Sequence, residues 1–245
     1  MNRFFIDPEL LQGNTVSIPD DVSAQIRKVL RLREGSEVHF LDGKGWIYKS
    51  TIHYLDEKHI SAEIFDKQPG AGEPSCRITL FIALTQREKF EWILQKCTEA
   101  GVSEIVPIIT ERSLIRKFSE VNTKQDRWGK ILKEASEQCG RTFIPRLSVP
   151  KTFHEAINAG KNYDTSLFCW ESEKQNTLHD ILDPIRHTVK SISIMIGPEG
   201  GFSDKEVSLI LEKNWNPVTL GKRIFRMETA AVISVVLTLY EINDL

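Results

Sequence analysis

Two stretches near the C-terminal end of the chain concentrate residue types that could do chemistry. Ile196-Gly197-Pro198-Glu199-Gly200-Gly201-Phe202-Ser203 follows an apolar, strand-like run and leads into a helix pattern. Leu220-Gly221-Lys222-Arg223-Ile224-Phe225-Arg226-Met227-Glu228-Thr229-Ala230-Ala231 leads into a second one. In the first stretch, three glycines stand where the backbone must turn tightly and can approach a flat ligand. The loop matches neither G-x-G-x-x-G nor G-x-x-x-x-G-K-[ST], and Glu199 would repel a phosphate. A ligand with rings, hydrogen-bonding edges and positive charge suits it better. S-adenosylmethionine, which carries an adenine and a sulfonium, is such a ligand.

Those loops need a frame, and the sequence pattern supplies one. Ile78–Leu84, Ile105–Ile109 and Ser166–Trp170 read as buried strands. Between them, Phe90, Ile93, Leu94 and Cys97 form one helical stripe, and Trp128, Ile131, Leu132, Ala135 and Cys139 another. Strands alternating with helices predict an α/β layer with a mainly parallel sheet. Ser203 is placed to cap the following helix with Glu206 three residues on, and Phe202 with Val207 as its hydrophobic staple. The final apolar pattern, Thr229 to Tyr240, is too short to span a bilayer and predicts a helix buried between the sheet and something else, such as a second subunit.

The first 68 residues read differently. Arg3–Ile6, Glu37–Leu41, Gly45–Tyr54 and Ile60–Phe65 are strand patterns, Asp42-Gly43 is a turn signal, and one helix is expected from Asp21 to Leu32. Gln68-Pro69-Gly70-Ala71-Gly72-Glu73-Pro74-Ser75 has linker composition. These features predict a small β domain over 1–72 and an α/β domain over 73–245.

Of the residues, 40% are hydrophobic and 27% charged, enough for a proper core. Four dispersed cysteines without C-x-x-C, six histidines without ligand spacing and no charged-then-apolar leader predict a cytoplasmic protein with reduced thiols, no metal and no membrane. The net charge of −2 hides an asymmetry: Glu111 to Lys151 holds ten Lys/Arg against five Asp/Glu. Arg27, Lys28, Arg31 and Arg33 form a second basic cluster, and Lys222, Arg223 and Arg226 a third. Basic clusters on a slightly acidic chain point to a nucleic-acid footprint, against the plain alternative of solvated helix faces.

Val29-Leu30-Arg31-Leu32, Lys96 to Pro107, Glu111-Arg112-Ser113, Glu137 to Arg141, the Ile196–Ser203 loop and Leu220 to Val232 occur together and in this order. Over nearly its whole length the chain thereby resembles the bacterial family of small-subunit ribosomal RNA uridine-N3 methyltransferases, of the SPOUT class. The resemblance implies a PUA-like β-barrel RNA-binding domain followed by a SPOUT α/β trefoil-knot domain. It also implies S-adenosyl-L-methionine as methyl donor, 16S rRNA of the small ribosomal subunit as partner, and a homodimer. Gly197, Pro198, Glu199, Gly200 and Gly201, with Leu220, Gly221, Ile224, Phe225 and Thr229, would enclose the donor. The chain departs from the family pattern at Ala24-Gln25, where basic or histidine pairs are common, and at Met227, where a small residue is common.

Methylation at uracil N3 needs the base unpaired and its proton removed. Arg226 is the candidate to stabilise the anion developing at O2 or O4, and Glu228 to orient it or take the proton. A surface phosphate contact for Arg226 and a helix N-terminal charge for Glu228 are the alternatives. Arg27, Lys28, Arg31, Arg33 and Arg223 are expected on RNA, and Arg112 and Arg141 either on RNA or in supporting ion pairs. Rival readings are a SPOUT enzyme acting on a ribose 2′-hydroxyl or another base nitrogen, a non-catalytic RNA-binding assembly factor, and a nucleotide-phosphate enzyme.

Overall fold

The computed structural model describes residues 2–54, 56, 59–116 and 124–245. Lys117 and Glu120 of the basic segment lie outside the described residues. The chain divides into two compact units, Met1–Glu73 with Lys133–Ile144, and Pro74–Leu132 with Pro145–Leu245.

The first unit is built on a six-stranded sheet: β1 (Arg3–Phe5), β2 (Leu11–Gln12), β3 (Thr15–Ser17), β4 (Glu37–Leu41), β5 (Trp46–Tyr54) and β6 (Ile60–Pro69), in the order β1-β4-β5-β6-β3-β2. Neighbours run antiparallel except β1 and β4. Inward residues such as Val16, Val38, Phe40, Ile52 and Ala62 form its core with Val22 and Ile26. Gln68 and Pro69, expected in a linker, remain in β6, because Pro69 closes the strand opposite Trp46 where a missing N–H costs little. The helix expected over 21–32 is α1 (Asp20–Ala24), which widens into a π-helical turn over Gln25–Leu30 and ends with Arg31 at φ 52°. Residues 133–144 are tied to this unit through Glu137 Oε1, which accepts from the Phe5 amide at 2.8 Å. Glu73 fixes the following turn, accepting from Arg141 Nη2 at 2.9 Å and from the Thr142 amide at 2.7 Å.

The second unit holds β7 (Arg77–Ala83), α2 (Arg87–Glu99), β8 (Glu104–Ile109), and α3 (Gln125–Cys139) as far as Leu132. It continues with β9 (Arg146–Leu147), β10 (Lys151–Thr152), α4 (Phe153–Ala159), β11 (Thr165–Cys169) and α5 (Leu178–Leu182). β12 (Ser191–Ile196), α6 (Asp204–Glu212), β13 (Asn216–Val218) and α7 (Met227–Glu241) complete it. The strand order is β10-β8-β7-β12-β11-β13, with β9 beside β8, and every pairing is parallel. Parallel strands buried on both faces explain the continuous apolar runs: Ile78, Leu80 and Ile82 of β7 and Ile192 and Ile194 of β12 are fully buried. Packed rings of Phe90 and Trp128, 4.5 Å apart, join α2 to α3. α7 buries Met227, Ala231, Ser234, Val235, Thr238 and Leu239, while Leu237 and Tyr240 are exposed.

Candidate functional site

Because all strands of the second sheet run the same way, their carboxyl ends lie along one edge, where ligands bind in open α/β sheets. β11 sits between β12 and β13, so the loop after β12 and the loop after β13 emerge on either side of Cys169. The two stretches singled out by their glycines are these loops. They line a single cavity of about 570 Å³, together with Cys169, Trp170 and Glu171 at the end of β11 and Lys89 on α2.

The first loop is held from outside. Ser203 caps α6 in a capping box with Glu206, the Glu206 carboxylate accepting from the Ser203 amide at 2.9 Å. Glu206 also accepts from the Glu111 amide at 2.8 Å, and Ser203 donates to Glu111 at 2.6 Å. Arg112 Nη1 donates to the Gly200 carbonyl at 2.8 Å and to that of Phe202 at 3.3 Å. Glu111 and Arg112 therefore brace the glycine loop, Arg112 through hydrogen bonds to carbonyls and not through the ion pair expected as its alternative to RNA. Gly201 has φ 67°, which favours glycine, and a Cβ there would lie 2.5 Å from the Oε1 tip of Glu171, an exposed side chain that can move aside. In the second loop Gly221 has φ 114° with open space around it.

Glu199 accepts from Thr85 Oγ1 at 2.5 Å and from Lys89 Nζ at 3.0 Å. Burial alone would push its carboxyl up, but the hydrogen bonds from Thr85, its own backbone N–H and Lys89 prevail, and it is held below the usual carboxylate value. Burial pushes the Cys169 thiol up to about 12, leaving it protonated and no nucleophile.

Of the residues expected around a ligand, Gly197, Pro198, Glu199, Gly200, Gly201, Leu220, Gly221, Ile224 and Phe225 line the cavity; Thr229 does not. Arg223, Arg226 and Glu228 line it as well. Arg226 is exposed at the N-cap of α7, and Glu228 is half-buried in its first turn. Among the described residues neither side chain makes an ion pair. Lys89, Trp170, Glu171 and Lys174 also line the cavity and were missed in sequence; their sole advance signal was position just after strands that must share an edge.

The basic residues of the first unit divide. Lys28, Arg31 and Arg33 are exposed, whereas Arg27 stacks over Tyr54 at 4.4 Å and donates to the Asp56 carbonyl at 2.6 Å. Arg141 is buried against Glu73, which makes it a supporting ion pair rather than an RNA contact. Among the described residues no cluster of three or more His, Cys, Asp or Glu could hold a metal, and no helix is long and apolar enough to cross a membrane.

A family model described as an RNA methyltransferase domain matches residues 72–239. Similar proteins include the ribosomal RNA small subunit methyltransferase E of Synechocystis, 32% identical over 95% of this chain and 75% of its own. The protein of the same name from Mesomycoplasma hyopneumoniae is 34% identical over 70% of this chain and 73% of its own. Among solved structures, ribosomal RNA small subunit methyltransferase E of Neisseria gonorrhoeae bound to S-adenosyl methionine superimposes with a TM-score of 0.87. It is 30% identical, over 98% of this chain and 97% of the other.

Proposed function

The chain belongs to the RNA methyltransferase domain family, and from that premise we propose that it transfers a methyl group from S-adenosyl-L-methionine to N3 of a specific uridine in 16S rRNA of the small ribosomal subunit. The observation carrying this reading is the convergence of two glycine loops, from the strands flanking β11, on one cavity rimmed by Arg226 and Glu228. The cavity fits the donor's chemistry. Ile196, Val218, Leu220 and Trp170 offer apolar walls for an adenine, backbone groups of both loops offer its hydrogen bonds, and Glu171 and Glu228 offer carboxylates to a cation.

When bound, the donor supplies an electrophilic methyl on a sulfonium. The chain's work is then to position and to manage one proton, without a covalent enzyme intermediate. Arg226, free of ion pairs among the described residues, can place its guanidinium against O2 or O4 of the uracil as negative charge builds there. Glu228 takes the N3 proton or orients Arg226 for it. With the donor so held, its methyl would pass to N3 in exchange for the N3 proton, which Glu228 would hand on to water. Lys28, Arg31, Arg33 and Arg223 contact RNA phosphates. Family likeness further supports a PUA-like first unit, a trefoil knot in the SPOUT second unit, and a cytoplasmic homodimer using the apolar strip of α7 that leaves Leu237 and Tyr240 exposed.

The test is methylation of small ribosomal subunits lacking the modification, with nucleoside mass spectrometry of the product. N3-methyluridine is expected; a 2′-O-methyl or other base-nitrogen product, or donor binding without transfer, overturns the reading. Arg226→Ala is expected to lower kcat about 100-fold, with donor affinity within about twofold. Unchanged turnover removes Arg226 from the reacting centre.

A further inference from the structure

The turn after α1 is strained, and the strain is held deliberately. Over Gln25–Leu30 the helix carries π-type bonds, and the amides of both Arg31 and Leu32 point at the Ile26 carbonyl. Arg31 then adopts the left-handed conformation, φ 52° and ψ 40°, which a side chain with a Cβ enters at a cost of about 1 kcal/mol. π-turns and left-handed non-glycine residues persist where surrounding contacts over-determine them, and they gather at functional sites.

Those contacts are present. Ile26 is fully buried, and Leu30 and Leu32 pack on the core of the first unit. Tyr54 grips the turn twice, donating its hydroxyl to the Leu32 carbonyl and lying under the Arg27 guanidinium. Arg27 in turn donates to the carbonyls of Asp56 and His59. The strain achieves one thing: with the leucines turned inward, Lys28, Val29, Arg31 and Arg33 all face solvent. Val29 is 71% exposed, and Lys28, Arg31 and Arg33 make no ion pair among the described residues. Neither the proposed reaction nor the core uses Val29.

We propose that this π-turn is a binding element for an unpaired stretch of RNA, with Val29 packed on the face of an unstacked base and Lys28, Arg31 and Arg33 on the flanking phosphates. The inference rests on the RNA-methylation reading and adds a reading residue to what was a patch of charge. Unpaired nucleotides alternate apolar planes with anions, and the exposed face offers the complement. An anionic lipid surface is disfavoured, because interfacial binding needs a broad apolar face and here a single valine is offered.

The experiment measures affinity of the full chain for small-subunit rRNA across a salt series, alongside calorimetric donor binding. Val29→Ser is expected to weaken RNA binding about fivefold to tenfold at every salt concentration, as loss of an apolar contact does, with the salt slope unchanged. Arg31→Asn keeps a residue that tolerates the left-handed conformation but drops the charge, so the slope should fall by about 0.7; Arg31→Lys should restore it. Donor affinity stays at the wild-type value in all three. Wild-type RNA affinity and slope in both Val29→Ser and Arg31→Asn, with donor binding intact, overturn the inference while leaving the methylation reading standing. A wild-type protein that binds no rRNA fails the methylation reading itself. Vesicle binding lost in Val29→Ser without any change on RNA also overturns the inference, in favour of a membrane.

Discussion

Removing the Arg112 side chain separates the two roles an arginine in a basic segment can have. In the structure its guanidinium donates at 2.8 Å to the Gly200 carbonyl and at 3.3 Å to that of Phe202, and its stem lies 3.5 Å from where a Gly200 Cβ would be. A hydrogen bond from a charged donor contributes about 1.5–3 kcal/mol when shielded. Arg112 is exposed, which reduces the nearer bond to about 1 kcal/mol and the longer one to about 0.5 kcal/mol. Loss of roughly 1.5 kcal/mol of loop ordering then has to be supplied by the donor on binding, a weakening of about tenfold. The exit of the loop stays anchored through Ser203, Glu206 and Glu111, so Arg112→Ala should remain folded. Arg112→Lys, with one donor group in place of the fork, should lose about threefold. Calorimetry with S-adenosylmethionine reads both values, and an rRNA salt series reads the alternative. Donor affinity unchanged in Arg112→Ala, together with a salt slope lower by about 0.7, would refute the bracing argument and return Arg112 to the RNA.

Gly201→Ala and Gly221→Ala both force a side chain onto a positive φ, 67° and 114°; the second lies outside the left-handed well, so it should cost more than the about 1 kcal/mol of the first and lose more donor affinity, and titration of both variants gives the order. Glu73→Ala leaves the buried Arg141 guanidinium and two amides without their carboxylate, and should lower unfolding free energy by about 3 kcal/mol in denaturant melts with donor affinity unaffected. The folded-state carboxyl of Glu199 lies below its ordinary 4.5, so its bonds to Thr85 and Lys89 contribute stability above that value and lose it as pH falls through the lowered one. Thermal melts of Glu199→Gln should therefore be less stable than wild type near neutrality, and the difference should vanish in acid.

What the sequence made legible was local. The capping box at Ser203 and Glu206 lies within four residues, and the alternation of apolar runs needs only the period of each element. Features set by distant partners were not legible. Nothing near residues 133–144 announces that they join the first unit, because the groups that hold them there, the Phe5 amide and the Glu73 carboxylate, are 132 and 68 residues away in sequence. The helix expected to run to Leu32 breaks into a π-turn because Tyr54 holds the Leu32 carbonyl and Leu30 packs inward, which a helical period cannot encode. Likewise Arg141 reads as one more charge in a basic segment until its carboxylate partner is in view.

The charge of the cavity shows how far a single motif can mislead. Glu199 in the glycine loop argues, as sequence, for a positively charged ligand. In the fold its carboxylate is already taken by Thr85, Lys89 and a backbone N–H, so most of its charge is countered before any ligand arrives. The carboxylates that remain to face a sulfonium are Glu171, pressed against Gly201 from the end of β11, and Glu228 in the first turn of α7. Neither lies in the glycine motif. On the proposed reading the loop contributes shape and backbone groups, and the carboxylates offered to a sulfonium come from the end of the strand between the two loops and from the helix that follows them. It follows that Glu171→Gln should weaken a sulfonium donor more than its neutral demethylated product, while Glu199→Gln should weaken both alike, through the loop. Equal losses for the two ligands in Glu171→Gln would move the source of charge selectivity elsewhere in the cavity.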